Sequence, residues 1–307
     1  MPLLVNDQPV SLPSSTEEFI KRYPKLKEGA ETLKLKPALK VGPKGLLYIQ
    51  QREFAATTPQ DDSISILGTE DATTCHMVAL RHTGCGATAL GHCDGTDTAM
   101  SVSKMLNAVK SLSDGFSNGR YEVHLVGGFM DEQLLSRKLT LELLEVLNSQ
   151  SENIHLETYC VTELNDVIKQ SIHWPVIYGI ATNVKTGEIF QATFPDRGPD
   201  EGLRSARTFL GGSMMSIYDA KAEELQIEPY EWSPFPNTEF WLQQPDHLIL
   251  EYFSTSPLVE PPHFVEHLKT TFKFLSAVPE ETLFPQCKSR NYKKTADGGW
   301  LRLHSAS

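Results

Sequence analysis

Long apolar runs and a leader segment are missing from this 307-residue sequence. No stretch approaches the roughly 20 apolar residues that a membrane-spanning helix needs. The opening residues, MPLLVNDQPV, lack the basic stretch and the apolar core of a signal peptide. We therefore expect a globular protein inside the cell, without a membrane as a partner. We place it in the cytoplasm, with the nucleus as a second compartment.

Basic residues are too few to balance the acidic ones. The chain has 28 Lys and Arg against 39 Asp and Glu, which gives a formal net charge of -11. Nonspecific attraction to a phosphate backbone or to an anionic membrane requires charge of the opposite sign. The composition therefore argues against nucleic acid as a partner.

Cysteine is scarce and odd in number. The five cysteines are thinly spread after the first three, which suits free thiols in a reducing compartment rather than a disulfide framework. Cys160 and Cys287 stand alone, and we interpret them as structural. Any functional cysteine is therefore a thiol, and the candidates are Cys75, Cys85 and Cys93.

Low-complexity linkers and internal repeats are also absent from the chain. We predict one compact domain over residues 1–307, of the α+β class, in which mixed and mostly antiparallel sheets are covered by helices as a layered sandwich. Residues 1–44 are polar, rich in lysine and interrupted by proline, and we expect them to pack on this domain as an N-terminal extension. We expect a monomer.

Short apolar runs separated by turns predict the strands. HMVAL and ATALG flank HTGCG, which is typical of a hairpin loop, and KTG separates a second pair of runs. Helical spacing of apolar residues predicts helices in TAMSVSKMLNAVKSLSD and DEQLLSRKLTLELLEVLNSQ. Ser15 is the expected cap of an early helix, HLILEYF is predicted as a strand, and a late helix is predicted to begin at Pro261.

Groups that could carry chemistry are concentrated in residues 69–97, TEDATTCHMVALRHTGCGATALGHCDGTD. A thiol becomes a useful nucleophile when a nearby imidazole can take its proton. His76 follows Cys75 directly, so on a strand its side chain points to the opposite face. A hairpin turn centred near Thr83 and Gly84 would instead bring His92 to the level of Cys75. Cys75 and His92 are therefore our candidate nucleophile and base.

The same segment supplies further polar groups. Asp94 and Asp97 could orient the imidazole or hold a cationic group of a substrate. Thr69, Thr73 and Thr74 offer hydroxyls and backbone donors for an oxyanion.

Two alternatives to catalysis remain open from these residues alone. Cys75 could be a small core residue of a strand. The residues Cys75, His76, His82, Cys85, His92 and Cys93 could also bind zinc, although the sequence has neither CxxC nor HExxH.

A second segment, STSPLVEPPHFVEHLKTT, places Glu260 directly before a proline pair that fixes the approach to a helix. His263, Glu266 and His267 follow at one-turn spacing. Glu260 could face a pocket from this position, whereas the later residues could equally form a solvated helix face.

Seven strings, in order along the chain, resemble the protein N-terminal asparagine amidohydrolase family, the deamidases of the N-degron pathway. They are SISILG, ATTCHMVALRHTG, HCDGTDT, VHLVGGF, CVTELND, SIYDA and STSPLVEPPHFVEH. The likeness runs from MPLLV nearly to the C-terminus, with departures in loops and in roughly the last twenty residues.

The resemblance implies hydrolysis of the side-chain amide of an N-terminal asparagine to aspartate and ammonia. Cys75 matches the family's nucleophile, and neither a metal nor an organic cofactor is implied. The substrates would be proteins with a free N-terminal asparagine. The product would pass to an arginyl-transferase and so to ubiquitin-dependent degradation.

The spacing of Thr69, Cys75 and His92 is similar to the Thr, Cys and His of bacterial chemoreceptor glutamine deamidases and related toxin deamidases. This likeness implies a catalytic trio of these residues. We expect Asp94, Asp97 and Glu260 to include the receptor of the substrate's α-ammonium group, with Thr74 also contacting the substrate. Two other functions stay open: a non-catalytic module that binds protein N-termini or peptides, and a cysteine deamidase of internal glutamine.

Overall fold

A computed structural model describes residues 2–231, 235–277 and 283–303. The helices within these ranges are α1 (Thr16–Arg22), α2 (Pro24–Leu35), α3 (Thr98–Leu112), α4 (Leu135–Asn148), α5 (Glu201–Phe209), α6 (Thr238–Leu242), α7 (Asp246–Phe253) and α8 (Phe264–Ala277). No helix in this described part of the chain is both long and apolar enough to cross a bilayer.

The strands of the same ranges are short. They are β1 (Leu3–Val5), β2 (Gln8–Pro9), β3 (Leu39–Lys40), β4 (Leu46–Tyr48), β5 (Glu53–Thr57), β6 (Ile66–Thr69), β7 (His76–His82), β8 (Thr88–Cys93), β9 (Tyr121–Gly127), β10 (Ile154–Val161), β11 (Asp166–Lys169), β12 (Ile172–Pro175), β13 (Ile180–Asn183), β14 (Ile189–Thr193), β15 (Met215–Ser216), β16 (Tyr218–Asp219), β17 (Glu224–Ile227), β18 (Arg290–Lys294) and β19 (Trp300–Leu303).

Two mixed sheets form the centre of the molecule. The larger sheet has eight strands in the order β15-β5-β8-β7-β9-β10-β1-β2, and the smaller has five in the order β3-β14-β13-β6-β4. A hairpin of β11 and β12 and a four-stranded sheet of β16 to β19 complete the strands. Most pairings are antiparallel, but β10 pairs in parallel with both β9 and β1. The predicted α+β class with mixed, mostly antiparallel sheets is therefore confirmed.

The two faces of the large sheet are covered by different layers. On one face, Gly91 of β8 leaves room for the Met105 side chain of α3, and His76 of β7 bonds Thr140 of α4 at 2.6 Å. On the other face, His92 of β8 meets Thr69 of β6 in the small sheet. Because side chains alternate along a strand, neighbouring residues of β7 and β8 reach opposite layers.

Leucine spacing explains the covering helix α4. Its buried side chains include Leu139, Leu143, Leu144 and Leu147, which recur every three to four residues and so lie on one helix face. Each leucine buried in this way contributes about 1.5–3 kcal/mol to folding. This face holds α4 against the large sheet, beside the strand that follows Cys75.

The first 44 residues contribute β1 and β2 to the large sheet and β3 to the small sheet. Strand β1 pairs in parallel with β10, and the Leu3 N–H donates to Oδ1 of Asn148 at 3.0 Å. Helix α1 begins where predicted, since the Ser15 hydroxyl accepts a hydrogen bond from the Glu18 N–H. Helix α2 packs on β10.

Two of the predicted elements differ from the structure. HLILEYF lies in α7 rather than in a strand, and this helix begins at Asp246 after Pro245. The apolar run is too short to distinguish the 3.6-residue period of a helix from the two-residue period of a strand. The last long helix begins at Phe264, three residues after Pro261, because the Phe264 N–H bonds the Pro261 carbonyl in a turn.

Candidate active site

Cys75 lies at the floor of a cavity of about 460 Å³. It directly precedes β7, and its carbonyl accepts a hydrogen bond of 2.9 Å from the Gly128 N–H at the end of β9. The Cys75 side chain is partly exposed. The thiol is therefore held by the sheet but open to a ligand in the cavity.

The hairpin places His92 close to Cys75, although not directly opposite it. Strands β7 and β8 pair Met77 with His92 and His76 with Cys93. Continued by one residue, this register sets Cys75 opposite Asp94, so the predicted pairing of Cys75 with His92 is wrong by two residues. The turn is centred between Gly84 and Cys85. Because same-face positions recur every two residues, Cys75 and His92 still share a face as diagonal neighbours.

The imidazole of His92 is fixed by a hydroxyl from the other sheet. The Thr69 hydroxyl and Nδ1 of His92 are hydrogen-bonded at 2.8 Å, and both residues are buried. Burial lowers the pKa of His92 to about 4, although nearby carboxylates favour its charged form. The ring is therefore neutral near pH 7. With Nδ1–H donating to Thr69, its Nε2 is free to accept a proton.

The thiol of Cys75 is also neutral before substrate binds. Burial raises its pKa well above the ordinary value, and the charges of Asp94 and Glu260 raise it further. Because the thiol and the imidazole are both neutral, the thiol proton must be transferred to a base as the sulfur attacks a substrate.

Glu260 lines the same cavity from the segment that joins α7 to α8. Its carboxylate accepts hydrogen bonds from the hydroxyls of Ser254 at 2.5 Å and Ser256 at 3.4 Å. Burial raises the pKa of Glu260 to about 7, and the charge of Asp71 also raises it, whereas these hydroxyls lower it. No described residue forms an ion pair with Glu260, so a cationic ligand would supply the missing partner.

Asp94 also lines the cavity but already has a cation. Nε of Arg52 lies 2.6 Å and Nε2 of Gln51 lies 2.7 Å from its carboxylate. Burial opposes ionisation of Asp94, but the hydrogen bond and charge of Arg52 outweigh burial and hold its pKa below the ordinary value. Asp94 is therefore ionised and paired.

Of the other predicted site residues, some line the cavity and others do not. Thr74 lines the cavity, and its hydroxyl bonds that of Thr255 at 3.0 Å. Asp97 is exposed at the N-cap of α3 with a φ of 48° and does not line the cavity. Thr69 and His92 lie behind the cavity wall rather than on it.

Several groups near the site carried no recognisable sequence signal. Arg52 directly precedes β5, and Asp94 directly follows β8. The two side chains meet because β5 and β8 are paired with Phe54 opposite Gly91. Asp71 stands inside the segment that the sequence singles out, yet its partners come from far along the chain. Its carboxylate lies 2.8 Å from Nε2 of His263 and 2.7 Å from Arg197, which also bonds Glu70.

The six residues considered for zinc do not converge. His76 faces α4, whereas His92 faces Thr69 in the other layer. His82 and Cys85 meet at 3.3 Å at the far end of the hairpin. Within the described ranges, Asp71, His263 and His267 are the one group of three possible ligands whose atoms lie within 4.8 Å of one another. Arg197 already pairs with the carboxylate of that group.

A thiol on the floor of an acidic cavity, with a neutral imidazole behind it, has the groups of an enzyme that hydrolyses carbon–nitrogen bonds. The sequence profile of the protein N-terminal asparagine amidohydrolase family matches residues 36–302. The chain therefore belongs to this family of amidohydrolases.

Curated relatives of the same name share most of the chain. The protein N-terminal asparagine amidohydrolases of Homo sapiens and Sus scrofa are each 56% identical over 307 residues, which cover 99% of this chain and 99% of theirs. The Arabidopsis thaliana protein of that name is 31% identical over 284 residues, covering 83% of this chain and 80% of its own.

Proposed function

We propose that this protein hydrolyses the side-chain amide of an N-terminal asparagine in proteins and peptides, giving aspartate and ammonia, with Cys75 as nucleophile. The observation that carries the proposal is the meeting, in one cavity, of the Cys75 thiol with the otherwise unpaired carboxylate of Glu260. The thiol provides the chemistry, and the carboxylate provides the means to recognise a free N-terminus. The names and family of the relatives support the same substrate.

The first half of the reaction forms a thioester. As Sγ of Cys75 bonds to the side-chain carbonyl carbon, Nε2 of His92 takes the thiol proton. Backbone N–H groups of residues 73–75 are suited to stabilise the oxyanion, since this loop lines the cavity. Collapse of the adduct breaks the carbon–nitrogen bond, and His92 gives its proton to the departing nitrogen, which leaves as ammonia.

The second half restores the enzyme. His92 removes a proton from water, whose oxygen attacks the thioester carbon. The carbon–sulfur bond breaks, the new side-chain carboxyl is left as aspartate, and the thiol regains its proton from His92. Thr69 keeps the ring oriented through both halves by its bond to Nδ1.

Recognition of the N-terminus rests on charge and reach. The α-ammonium group would pair with Glu260, while Asp94 and Thr74 line the same cavity. A glutamine side chain is one methylene longer, which by itself changes transition-state binding by about 1–3 kcal/mol. The longer chain also misplaces the carbonyl relative to Sγ, and this adds to the discrimination.

The proposed cellular role rests on the family resemblance. We propose that the N-terminal aspartate passes to an arginyl-transferase, and that the enzyme acts in the cytoplasm and nucleus at the first step of an N-degron pathway. We propose that it acts as a monomer.

The test is mass spectrometry of a short Asn-initiated peptide incubated with the protein, with Cys75→Ala and with Cys85→Ala. We expect conversion to the Asp peptide by the unmutated protein and by Cys85→Ala, because Cys85 lies at the other end of the hairpin. Cys75→Ala should lose turnover while still binding the peptide. A chelator should have no effect.

The control peptides separate the alternatives. An N-acetylated peptide should not react, because it lacks the ammonium group. Reaction of acetylated or internal glutamine peptides would instead indicate a deamidase of another substrate class. Binding without turnover by the unmutated protein would indicate a non-catalytic module.

A further inference from the structure

Two histidines converge on Asp71, a residue of the cavity wall that the proposed reaction does not use. His267 follows His263 by one helical turn, and its N–H donates to the His263 carbonyl at 3.0 Å. The two rings lie side by side, with their centroids 4.7 Å apart. Histidines at positions i and i+4 present their ring nitrogens on one helix face, which is a recurrent way of binding zinc. Asp71 approaches both rings from the loop between β6 and β7.

The distances between these three side chains fit a metal ion. Nε2 of His263 lies 2.8 Å from Oδ1 of Asp71, and Nδ1 of His267 lies 3.9 Å from Oδ2. A tetrahedral zinc ion with bonds of about 2.0–2.2 Å holds its ligand atoms about 3.3 Å apart, which lies between these two distances. The histidines are open to solvent, with 40% of the His263 side chain and 37% of the His267 side chain exposed. An ion can therefore reach all three ligands, and a water would complete the tetrahedron.

Arg197 is the present partner of Asp71 and competes with a cation for the same atoms. Its Nη2 lies 2.7 Å from Oδ2 of Asp71 and 3.4 Å from Nε2 of His263. The guanidinium has two other carboxylates, since Glu70 lies 3.0 Å and Glu201 lies 4.0 Å from it. One guanidinium therefore meets three carboxylates, and a divalent cation would offset the excess negative charge. Arg197 keeps Glu70 and Glu201 as partners when a cation takes Asp71.

We propose that Asp71, His263 and His267 bind one zinc ion. Two imidazoles and one carboxylate with an open position suit zinc better than calcium or magnesium, which bind through oxygen. Asp71 belongs to the loop that leads to Cys75, whereas the histidines follow Glu260. The ion would therefore join the segments that carry the thiol and Glu260, and we expect it to stabilise the fold rather than to take part in the reaction. This inference goes beyond the proposed function and does not depend on it.

The experiment measures Zn²⁺ binding to the purified full chain after a chelator has removed any metal. Competition with a chromogenic chelator at about pH 8, where free imidazoles are neutral, should give one ion per chain. His267→Ala should weaken binding by at least about tenfold, because losing even a residue that only orients a ligand costs about 10- to 100-fold in affinity. His247→Ala is the matched control, since His247 is an exposed histidine of α7 outside this group. It should bind Zn²⁺ as the unmutated chain does.

Thermal unfolding gives an independent readout. Zn²⁺ at about a hundredfold excess over its Kd should raise Tm by about 5 °C, because an ion that binds the folded chain stabilises it. His267→Ala should lose this shift, whereas His247→Ala should keep it. A Tm that rises equally in both variants would place the ion elsewhere and overturn the inference.

Cys75→Ala separates this site from the proposed nucleophile, which could itself bind zinc as a thiolate. Equal affinities of Cys75→Ala and the unmutated chain, with the loss confined to His267→Ala, support the site. Binding that His267→Ala retains, binding that Cys75→Ala abolishes, or no saturable binding at all would each overturn it. Turnover of an Asn-initiated peptide is measured separately with a chelator present, so a failure of the reaction is distinguished from a failure of the zinc site.

Discussion

Two carboxylates of one cavity have different environments, and this difference assigns their roles. Arg52 forms an ion pair with Asp94, whereas among the described residues Glu260 receives hydrogen bonds only from hydroxyls, and its pKa is raised. Pairing Glu260 with an ammonium group would relieve the burial of a lone charge. Asp94 stays ionised in this pair, and its charge adds to burial in raising the pKa of the Cys75 thiol, which keeps the thiol protonated.

For Glu260→Gln we expect kcat/KM for an Asn-initiated peptide to fall by about 10- to 100-fold, because a charge-assisted hydrogen bond contributes about 1.5–3 kcal/mol. In the unmutated protein, kcat/KM should rise as pH rises through about 7, where Glu260 loses its proton. It should fall above about 8, where the substrate amine loses its own.

The variant should lose the rising limb of this pH profile and keep the falling one. A profile that keeps its rising limb in Glu260→Gln would assign that limb to another group. His92 does not supply it, since its pKa of about 4 lies well below the window.

Thr69→Val tests the hydroxyl that orients His92. The change keeps the shape of the side chain but removes the hydrogen bond to Nδ1 of His92. We expect kcat to fall by about 10- to 100-fold, which is part of the rate enhancement that proton transfer by a side chain contributes. KM should be nearly unchanged. Thr182→Val is the matched control. Thr182 is a buried threonine in the adjacent strand β13, and its hydroxyl oxygen has no hydrogen-bond partner in the part of the chain that the structure describes. Equal kcat values for the two variants would argue against an orienting role for Thr69.

At the scale of elements, the end of β9 holds Cys75, the proposed nucleophile, in place. Gly127 has a φ of 125°, and a Cβ there would lie 2.5 Å from the Cys75 carbonyl oxygen. The next residue, Gly128, has a φ of 63° and donates its N–H to that same oxygen. The pair of glycines in VHLVGGF is therefore a requirement of the backbone that carries Cys75.

We expect Gly127→Ala to lose about 1–3 kcal/mol of unfolding free energy and also to lose activity, since the clash displaces Cys75. Gly115→Ala is the control, because Gly115 has a φ of 85° but open space around its Cβ position. That change should lose about 1–2 kcal/mol for the left-handed backbone and keep kcat. Denaturant unfolding and kcat should be measured on both variants. Backbone strain lowers the unfolding free energy of both, whereas displacement of Cys75 lowers kcat in Gly127→Ala alone. Full activity in Gly127→Ala would contradict the proposed contact.

Local pattern predicted most elements but not their register. HMVAL, HTGCG and ATALG indicated the hairpin of β7 and β8, because alternating apolar runs around a glycine-containing loop leave few other structures. The exact pairing depends on where the turn closes, and a shift of two residues separates the predicted partner of Cys75 from the observed one. HLILEYF shows the same limit, since seven apolar-rich residues fit either period until the helix start at Asp246 is recognised.

At the scale of the whole molecule, the cavity is assembled from five distant segments. Its lining comes from residues 51–52, 71–75, 94–96, 135–142 and 253–264. Sequence could find Cys75, Asp94 and Glu260 because they stand in dense or proline-marked strings. It could not find Arg52 or the bond between Thr69 and His92, because these depend on how the two sheets pack and on long-range pairing.

A buried ion pair joins two of the parts that support this cavity. Arg204 of α5 donates to both carboxylate oxygens of Glu53, at 3.0 and 2.6 Å, and also to the Tyr48 carbonyl at 2.7 Å. Both charged side chains are almost wholly buried. Arg204→Met should therefore cost about 3–5 kcal/mol of unfolding free energy, because Glu53 is left as a lone buried charge.

The double variant Glu53→Met, Arg204→Met should recover part of that loss, because it removes the unpaired charge as well. Denaturant unfolding of the two single variants and the double variant completes the cycle. A double variant no more stable than Arg204→Met would show that the carbonyl contacts of Arg204, rather than its charge pair, carry the effect.

The spread of the cavity along the chain also has a consequence for biosynthesis. A ribosome releases Cys75 and His92 well before Glu260. Strand β1 likewise lacks its partner β10 until β10 has been translated. A nascent chain therefore carries the thiol long before it carries the carboxylate that would select a substrate, and the two cannot meet until translation has passed Glu260.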